Sequence, residues 1–358
     1  TAARLGGDEF AVLIESVTHE DESVNIANRI LEVFREPFSI EGNEVYVGTS
    51  IGIAAGSVET SGSEELLRNA DLAMYLAKGR GKGKYVVFET KMHEALMERI
   101  ELEADLRRGI DEREFVLHYQ PIFDLRSKRI LGMEALVRWQ HPRSGLIPPM
   151  KFIPLAEETN LIVPLGEWIL GEACRQVQEW RSGSDAAANI SVTVNISIRQ
   201  FMQKELADIV RKALEATGLP PRSLILEITE SFMLQDTEAT ILKLHELKKL
   251  GIRLAIDDFG TGYSSLSYLQ RFPIDILKID KSFIDKLGQG SEGNAVARAI
   301  IMMGDSLNLK TIAEGIEHPD QITVLQYLGC EAGQGYHFAK PLTKTEMDSF
   351  LLANRTSV

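Results

Sequence analysis

Residues 115–137, FVLHYQPIFDLRSKRILGMEALV, decide the fold. Two apolar runs, 115–123 and 130–137, have the length and composition of strands. The connection between them, Asp124 to Arg129, is too short for a helical crossover, so the two runs must pair as an antiparallel hairpin. Downstream, short apolar strands at 191–196, 224–228, 253–258, 276–279, 310–314 and 332–336 alternate with amphipathic helical stretches. That alternation is the pattern of parallel β/α architecture. Eight strands predict an α/β fold of closed (β/α)8, TIM-like type, made atypical by its antiparallel first strand.

Upstream, residues 1–89 read as a smaller, partial α/β domain. Strands are expected at 10–15, 45–54 and 85–88, with helices at 23–34 and 63–78. Ser63 followed by Glu64 and Glu65 is an N-cap with acidic residues at the favourable end of the helix dipole. Residues 90–113 form a linking helix, since Leu96, Ile100, Leu102, Leu106 and Ile110 recur at helical spacing among charges. The barrel then spans 114–358. The chain begins at Thr1 without an initiator Met, so it is expected to be part of a longer protein. No apolar run approaches the ~20 residues of a membrane-spanning helix, which predicts a cytoplasmic chain whose longer parent could still be membrane-anchored.

Thirty-nine Lys and Arg against 52 Asp and Glu leave a formal charge of -13. Such a field repels a polyanion and argues against polymeric nucleic acid as partner. A small anionic ligand needs local cations or bound metal. Cys174 and Cys330 have neither metal-ligand spacing nor a disulfide framework and are expected as buried thiols.

The functional face of a β/α barrel lies at the carboxyl ends of its strands. There the sequence supplies Gln120, Glu134, Asn195, Glu227, Asp257, Asp258, Lys278, Glu314 and Gln334. Five converging carboxylate positions are costly unless protons or metal neutralise them. Without Cys or His, the donor set suits Mg²⁺ or Mn²⁺. The adjacent Asp257 and Asp258 can bridge or separately hold two ions, an arrangement for in-line attack on phosphorus. Lys278 either orients the attacking water or forms a salt bridge with the Asp pair. Phe259 to Ser265 contains two glycines and reads as a gating loop or as a tight turn, with Glu230 able to tether it.

These stretches resemble the EAL family of cyclic di-GMP phosphodiesterases. The resemblance is carried in order by Glu134-Ala135-Leu136-Val137-Arg138, Val194-Asn195-Ile196-Ser197, Leu226-Glu227-Ile228-Thr229-Glu230, Asp257 to Gly262, Lys278-Ile279-Asp280, Ala313 to Glu317 and Gln334-Gly335-Tyr336. It covers roughly 91–358. It implies that Glu134, Asn195, Glu227 and Asp257 ligate one metal, and that Asp257, Asp258 and Glu314 hold a second. Lys278 would contact the attacking water, and Gln334 the phosphate or that water, completing a catalytic set of Glu134, Asp258, Lys278 and Gln334. Arg138 would bind a substrate phosphate, with Gln120 and Asp280 also on the substrate side. Glu230 and Glu317 would anchor loops. The implied reaction opens cyclic di-GMP to linear pGpG. A homodimer through the barrel, around 263–272, is the family-typical assembly.

Residues 1–89 resemble the C-terminal half of a GGDEF, diguanylate cyclase-like domain, from Arg4-Leu5-Gly6-Gly7-Asp8-Glu9-Phe10 to Lys78 and Lys82. The resemblance implies nucleotide contact at Gly6 and Gly7 beside Asp8, metal at Glu9 and phosphate contact at Lys78 and Lys82. The earlier half is absent here, so this stretch should not make cyclic di-GMP. An intact parent could bind GTP. The alternatives to hydrolysis are a cyclic di-GMP receptor with little turnover, cyclase activity in the parent, or GTP-dependent regulation of the barrel.

Overall fold

The computed structural model describes residues 1–15, 17, 21–40, 42–56, 62–79, 83–183, 187–230, 237–261, 269–288 and 293–354. The chain forms two compact units, Thr1–Leu102 and Glu103–Val358.

In the first unit, β1 (Ala2–Gly6) and β2 (Glu9–Val12) make an antiparallel hairpin, turned at Gly7 with φ of +52°. Helix α1 (Asp21–Val33) follows, then a second hairpin of β3 (Phe38–Ile40) and β4 (Asn43–Val45). β5 (Ile51–Ile53) and β6 (Tyr85–Val87) pair in parallel across α2 (Ser63–Gly79). Ala73, Ala77 and Val86 are buried there, with Phe88 and Met92 packed on them. Two expectations are corrected. The strand expected at 10–15 is Glu9–Val12, paired with a β1 that the sequence reading missed. The strand expected at 45–54 is two short ones: Gly42, at φ of +83°, turns Asn43–Val45 back onto Phe38–Ile40, and only Ile51–Ile53 continues toward β6. Helix α3 (Thr90–Asp111) ends before 113 because Arg113 takes a left-handed φ of 61°.

The second unit is the barrel. Its first hairpin is β7 (Phe115–Asp124) and β8 (Ile130–His141), and a short β9 (Gly145–Ile147) folds back on the end of β8. Then come α4 (Pro149–Glu158), α5 (Ile162–Gly183), β10 (Ser191–Asn195), α6 (Ile198–Phe201), α7 (Leu206–Thr217), β11 (Leu224–Thr229) and α8 (Thr237–Lys249). The chain continues through β12 (Arg253–Phe259), β13 (Ile276–Ile279), α9 (Lys281–Ile284), α10 (Ala295–Ser306), β14 (Lys310–Ala313), α11 (Pro319–Leu328), β15 (Ala332–Gly333) and α12 (Lys344–Ala353). The last strand is shorter than the expected 332–336.

The sheet runs β10-β11-β12-β13-β14-β15-β7-β8 and closes through a β8–β10 pairing. β7 is antiparallel to both neighbours, as the short 124–129 connection requires; every other barrel pairing is parallel. Ile122, Ile225, Ala255, Ile276, Ile312 and Ala332, one from each of six strands, pack as a buried apolar cluster. Side chains two residues apart on a strand share a face. The next inward position toward the carboxyl ends is therefore Glu227, Asp257, Lys278, Glu314 and, just past β15, Gln334. On antiparallel β7 the matching residue precedes Ile122 and is Gln120. An apolar layer of the barrel thus lies directly beneath a polar one.

Candidate active site

Lys278 is the centre of that polar layer. It is 1% exposed, so its ammonium can be satisfied only by protein groups. Its Nζ lies 2.5 Å from Glu314 Oε1, 3.4 Å from Asp257 Oδ1 and 3.5 Å from Glu134 Oε2, and it donates to Glu227 Oε1. Gln334 Nε2 donates to Glu134 Oε2 at 2.6 Å and to Glu314 Oε1 at 2.8 Å. Asn195 Nδ2 donates to Glu134 Oε1 at 2.8 Å, which leaves its amide oxygen as the atom able to ligate. Residues up to 200 positions apart in sequence meet here because the sheet closes.

The electrostatics follow from burial and crowding. Burial drives the Glu227 carboxyl well above its ordinary range; Lys278 pulls it down, but the neighbouring carboxylates push it further up. Burial likewise lifts Glu314 to about 8. Asp257 goes the other way: burial would raise it, but Lys278 and a hydrogen bond with Glu227 hold it below the usual value. For Lys278, burial would favour the neutral amine, yet the surrounding carboxylates keep it firmly protonated.

Asp257 and Asp258 diverge because of an irregularity in the β12–β13 ladder between Ile256 and Phe259. Asp258 takes a left-handed φ of 54°, a strained conformation of the kind that collects at functional sites. Its carboxyl is raised by burial and by Asp257. The loop beyond it is held at its root: Gly260 N–H donates to Glu230 Oε2 at 2.7 Å, and Thr261 Oγ1 donates to the Asp258 carbonyl at 2.8 Å. Gly262 to Ser265, the rest of that loop, lie outside the described residues, as do 263–268 of the expected dimer contact.

Gln120 is buried, opposite Glu134 in the β7–β8 register, and donates to the Ala339 carbonyl at 3.1 Å. Arg138, on the same face of β8 as Glu134, is half-buried, and burial makes its guanidinium less basic. Asp280 caps α9, accepting Ser282 N–H at 3.0 Å, and its charge contributes to raising Asp258. Glu317 is ion-paired with Lys281 at 2.8 Å. In the first unit, Gly6, Gly7, Asp8 and Glu9 lie together at the β1–β2 turn, where Arg4 donates twice to the Gly7 carbonyl. Lys78 is exposed on α2, and Lys82 lies outside the described residues.

One positioning residue was not singled out in the sequence. Gly335 follows Gln334, and a Cβ on it would stand 2.2 Å from the Ile316 backbone N and O. This close approach lets the Gln334 carbonyl accept Ile316 N–H at 3.1 Å and fixes the Gln334 side chain over the carboxylates. A glycine straight after a polar residue at a strand end was the available signal.

The donor chemistry fits a hard divalent cation. Glu227, Asp257 and Glu314 each offer an oxygen within 4.8 Å of the others'. Glu227 Oε2, Asp257 Oδ1 and Gln334 Oε1 are buried without a hydrogen-bond partner. Buried oxygens that accept no hydrogen bond are what an oxygen-ligated Mg²⁺-like ion would satisfy.

Sequence comparison agrees with this barrel. The EAL domain family profile matches residues 103–341, and the chain belongs to that family. The profile described as "Diguanylate cyclase, GGDEF domain" matches residues 1–84. Among curated relatives, the bifunctional diguanylate cyclase/cyclic di-GMP phosphodiesterase MucR of Pseudomonas aeruginosa is 44% identical over 97% of this chain and 50% of its own length. The cyclic di-GMP phosphodiesterase PdeR of Escherichia coli is 40% identical over 95% of this chain and 51% of its own. The chain therefore spans about half the length of these relatives. The solved MucR phosphodiesterase in complex with c-di-GMP superposes with a TM-score of 0.66 at 45% identity, covering 69% of this chain and 99% of that one.

Proposed function

We propose that the barrel hydrolyses one phosphodiester bond of cyclic di-GMP, releasing linear pGpG. The observation that carries this reading is the carboxylate cluster around Lys278, with three buried side-chain oxygens that accept no hydrogen bond, at the carboxyl ends of the strands of an EAL barrel. Relatives named as cyclic di-GMP phosphodiesterases, and the MucR complex with that ligand, support the substrate.

Glu134, Asn195, Glu227 and Asp257 would hold one Mg²⁺ or Mn²⁺, and Asp257, Asp258 and Glu314 a second. Bound ions would acidify a water and neutralise charge at the reacting phosphorus. The chain's own residues do the rest. Glu134, Asp258, Lys278 and Gln334 are the catalytic set. Lys278, kept protonated by the carboxylates, supplies a fixed positive charge where the phosphoryl group gains negative charge. Gln334 orients Glu134 and Glu314 through paired amide bonds. Arg138, half-buried, grips a substrate phosphate in a setting that strengthens charge-assisted bonds, while Gln120 and Asp280 border the nucleotide. Glu230 holds the Asp258–Ser265 loop by Gly260, and Glu317 braces the second-metal side through Lys281. Water attacks phosphorus, the P–O bond to the ribose breaks, and the leaving oxygen takes a proton.

In the intact parent, GTP at the GGDEF stretch and a second copy through the barrel are the expected partners, in the cytoplasm. Among the described residues no helix is long and apolar enough to cross a membrane. Chromatography of cyclic di-GMP incubated with the chain tests the reading. pGpG that forms with Mg²⁺ or Mn²⁺ and not with chelator supports it; intact ligand in every condition favours a receptor.

A further inference from the structure

The opposite end of the barrel holds a second concentration of charge, of the other sign. Arg181 near the end of α5, Asn189 before β10, Arg222 and Ser223 in the turn before β11, and Arg253 at the start of β12 line a cavity of about 280 Å³. Arg253 precedes Asp257 by four residues on the same strand, so at ~3.3 Å per residue their backbone positions are about 13 Å apart. Arg222 and Arg253 lie at amino-terminal strand ends and Arg181 near the end of the helix that leads to β10, away from the face where the acidic layer sits.

Two of these arginines are held in place by main-chain carbonyls, and among the described residues none of the three is neutralised by a carboxylate. Arg181 Nη1 donates to the Ile190 carbonyl at 2.7 Å, and Arg253 Nε donates to the Arg222 carbonyl at 2.9 Å. Both acceptors are main-chain groups at the strand entrances, so barrel closure itself orients the two side chains. Each guanidinium has about five N–H donors, and each of these two bonds uses one. Among the described residues, none of the three arginines has a carboxylate within ion-pair distance. Asp275 is the acidic group whose field reaches Arg253, but it is already bound by Lys248 at 2.7 and 2.8 Å and by Leu254 N–H at 2.8 Å. Burial, and then the nearby Arg222, make Arg181 less basic, so like charges face each other here without an intervening carboxylate among the described residues. In a chain of formal charge -13, unpaired convergence of three arginines is a local reversal of the field.

We propose that this cavity binds a small polyphosphate, either inorganic or the phosphate tail of a nucleotide. Planar guanidiniums with fixed orientation suit the bidentate geometry of phosphate oxygens. The cavity's size, just under the ~300–1,000 Å³ of drug-sized sites, favours a compact ligand. Asn189 and Ser223 add neutral groups at its wall. Such a ligand is not the substrate of the carboxylate layer, which lies at the other ends of the strands.

The test is isothermal titration calorimetry of the whole chain in chelator and low salt, with inorganic tripolyphosphate in one arm and ATP in the other. Chelator keeps divalent ions from bridging the probe to the carboxylates. The expected result is single-site binding of tripolyphosphate with Kd below ~1 mM. Arg222→Glu should weaken it at least about tenfold, because it turns one of the three cationic groups lining the cavity into an anion. Arg222 is exposed and its side chain bonds no protein group among the described residues, so an unchanged melting temperature is expected for the variant. Arg298→Glu, the same charge change at an exposed position of α10, should leave binding intact. Binding of ATP as well as tripolyphosphate would assign a nucleotide tail; tripolyphosphate alone would assign an inorganic ligand. No heat from either probe at ~10 mM, or equal weakening by both variants, would overturn the proposal.

Discussion

Replacing Lys278 with Met keeps an unbranched side chain, one atom shorter, and removes its charge. The ammonium is enclosed by Glu134, Glu227, Asp257 and Glu314, and it is the cation these carboxyls share in the absence of metal. Removing one partner of a buried charge pair costs about 3–5 kcal/mol, because the remaining charge keeps its desolvation penalty. Glu227 and Glu314, both raised by burial, can retain protons and limit the damage, which favours the lower end, about 3 kcal/mol. For a unit of this size 1 kcal/mol moves the melting temperature by roughly 2–4 °C, so Lys278→Met should melt about 6–12 °C below wild type in chelator. Saturating Mg²⁺ should recover part of that difference, since a bound cation supplies the missing charge and stabilises only the folded state. Circular dichroism melts of both proteins, with chelator and with Mg²⁺, measure this directly. A variant that melts with wild type in chelator would refute the electrostatic reasoning; one that is not recovered by any divalent ion would refute the cation site.

Glu230→Ala removes the acceptor of Gly260 N–H; at 1.5–3 kcal/mol for a charge-assisted bond, kcat should fall roughly tenfold to a hundredfold with little change in melting, and a collapse of both would make Glu230 structural. Gly335→Ala forces a Cβ against the Ile316 backbone and should displace Gln334, abolishing turnover while leaving secondary structure by circular dichroism intact; near-normal turnover would remove Gln334 from the site. Asp105, buried beside His141, Arg108 and Arg143, is held down to about 2: burial raises it, but hydrogen bonds from those three groups outweigh that effect. A depressed folded value stabilises above the ordinary carboxyl range and the gain is lost as pH falls through the folded value. The stability gap between wild type and Asp105→Asn should therefore be full above about pH 4 and close toward pH 2; a gap independent of pH across that window would contradict the assignment.

The barrel was legible because its signals are local. Apolar runs of strand length mark β7, β8 and β10 to β14, and the shortness of 124–129 alone dictates the antiparallel start. The polar ring was legible for a related reason: Glu227, Asp257, Lys278 and Glu314 each fall two residues beyond an apolar position on the same strand face. What the sequence withheld depends on closure. Nothing local says that Lys278 sits among four carboxyls rather than beside the Asp pair, because the distances are set by strands far apart in the chain. The hairpin that adds β9, turned at Gly145 with φ of 68°, was missed because a three-residue strand has almost no periodicity. In the first unit, short strands and turn glycines such as Gly42 fragment the pattern, and 45–54 read as one strand. The partner of Glu317 was not legible either: its ion pair with Lys281 joins residues 36 positions apart.

The most direct test of metal-assisted hydrolysis at this cluster is turnover of cyclic di-GMP in oxygen-18 water with saturating Mg²⁺, comparing wild type with Glu134→Ala by mass spectrometry. Wild type should give pGpG with a single heavy oxygen on its terminal phosphate, and the variant essentially no product. Unlabelled product, or undiminished turnover by Glu134→Ala, would contradict the account.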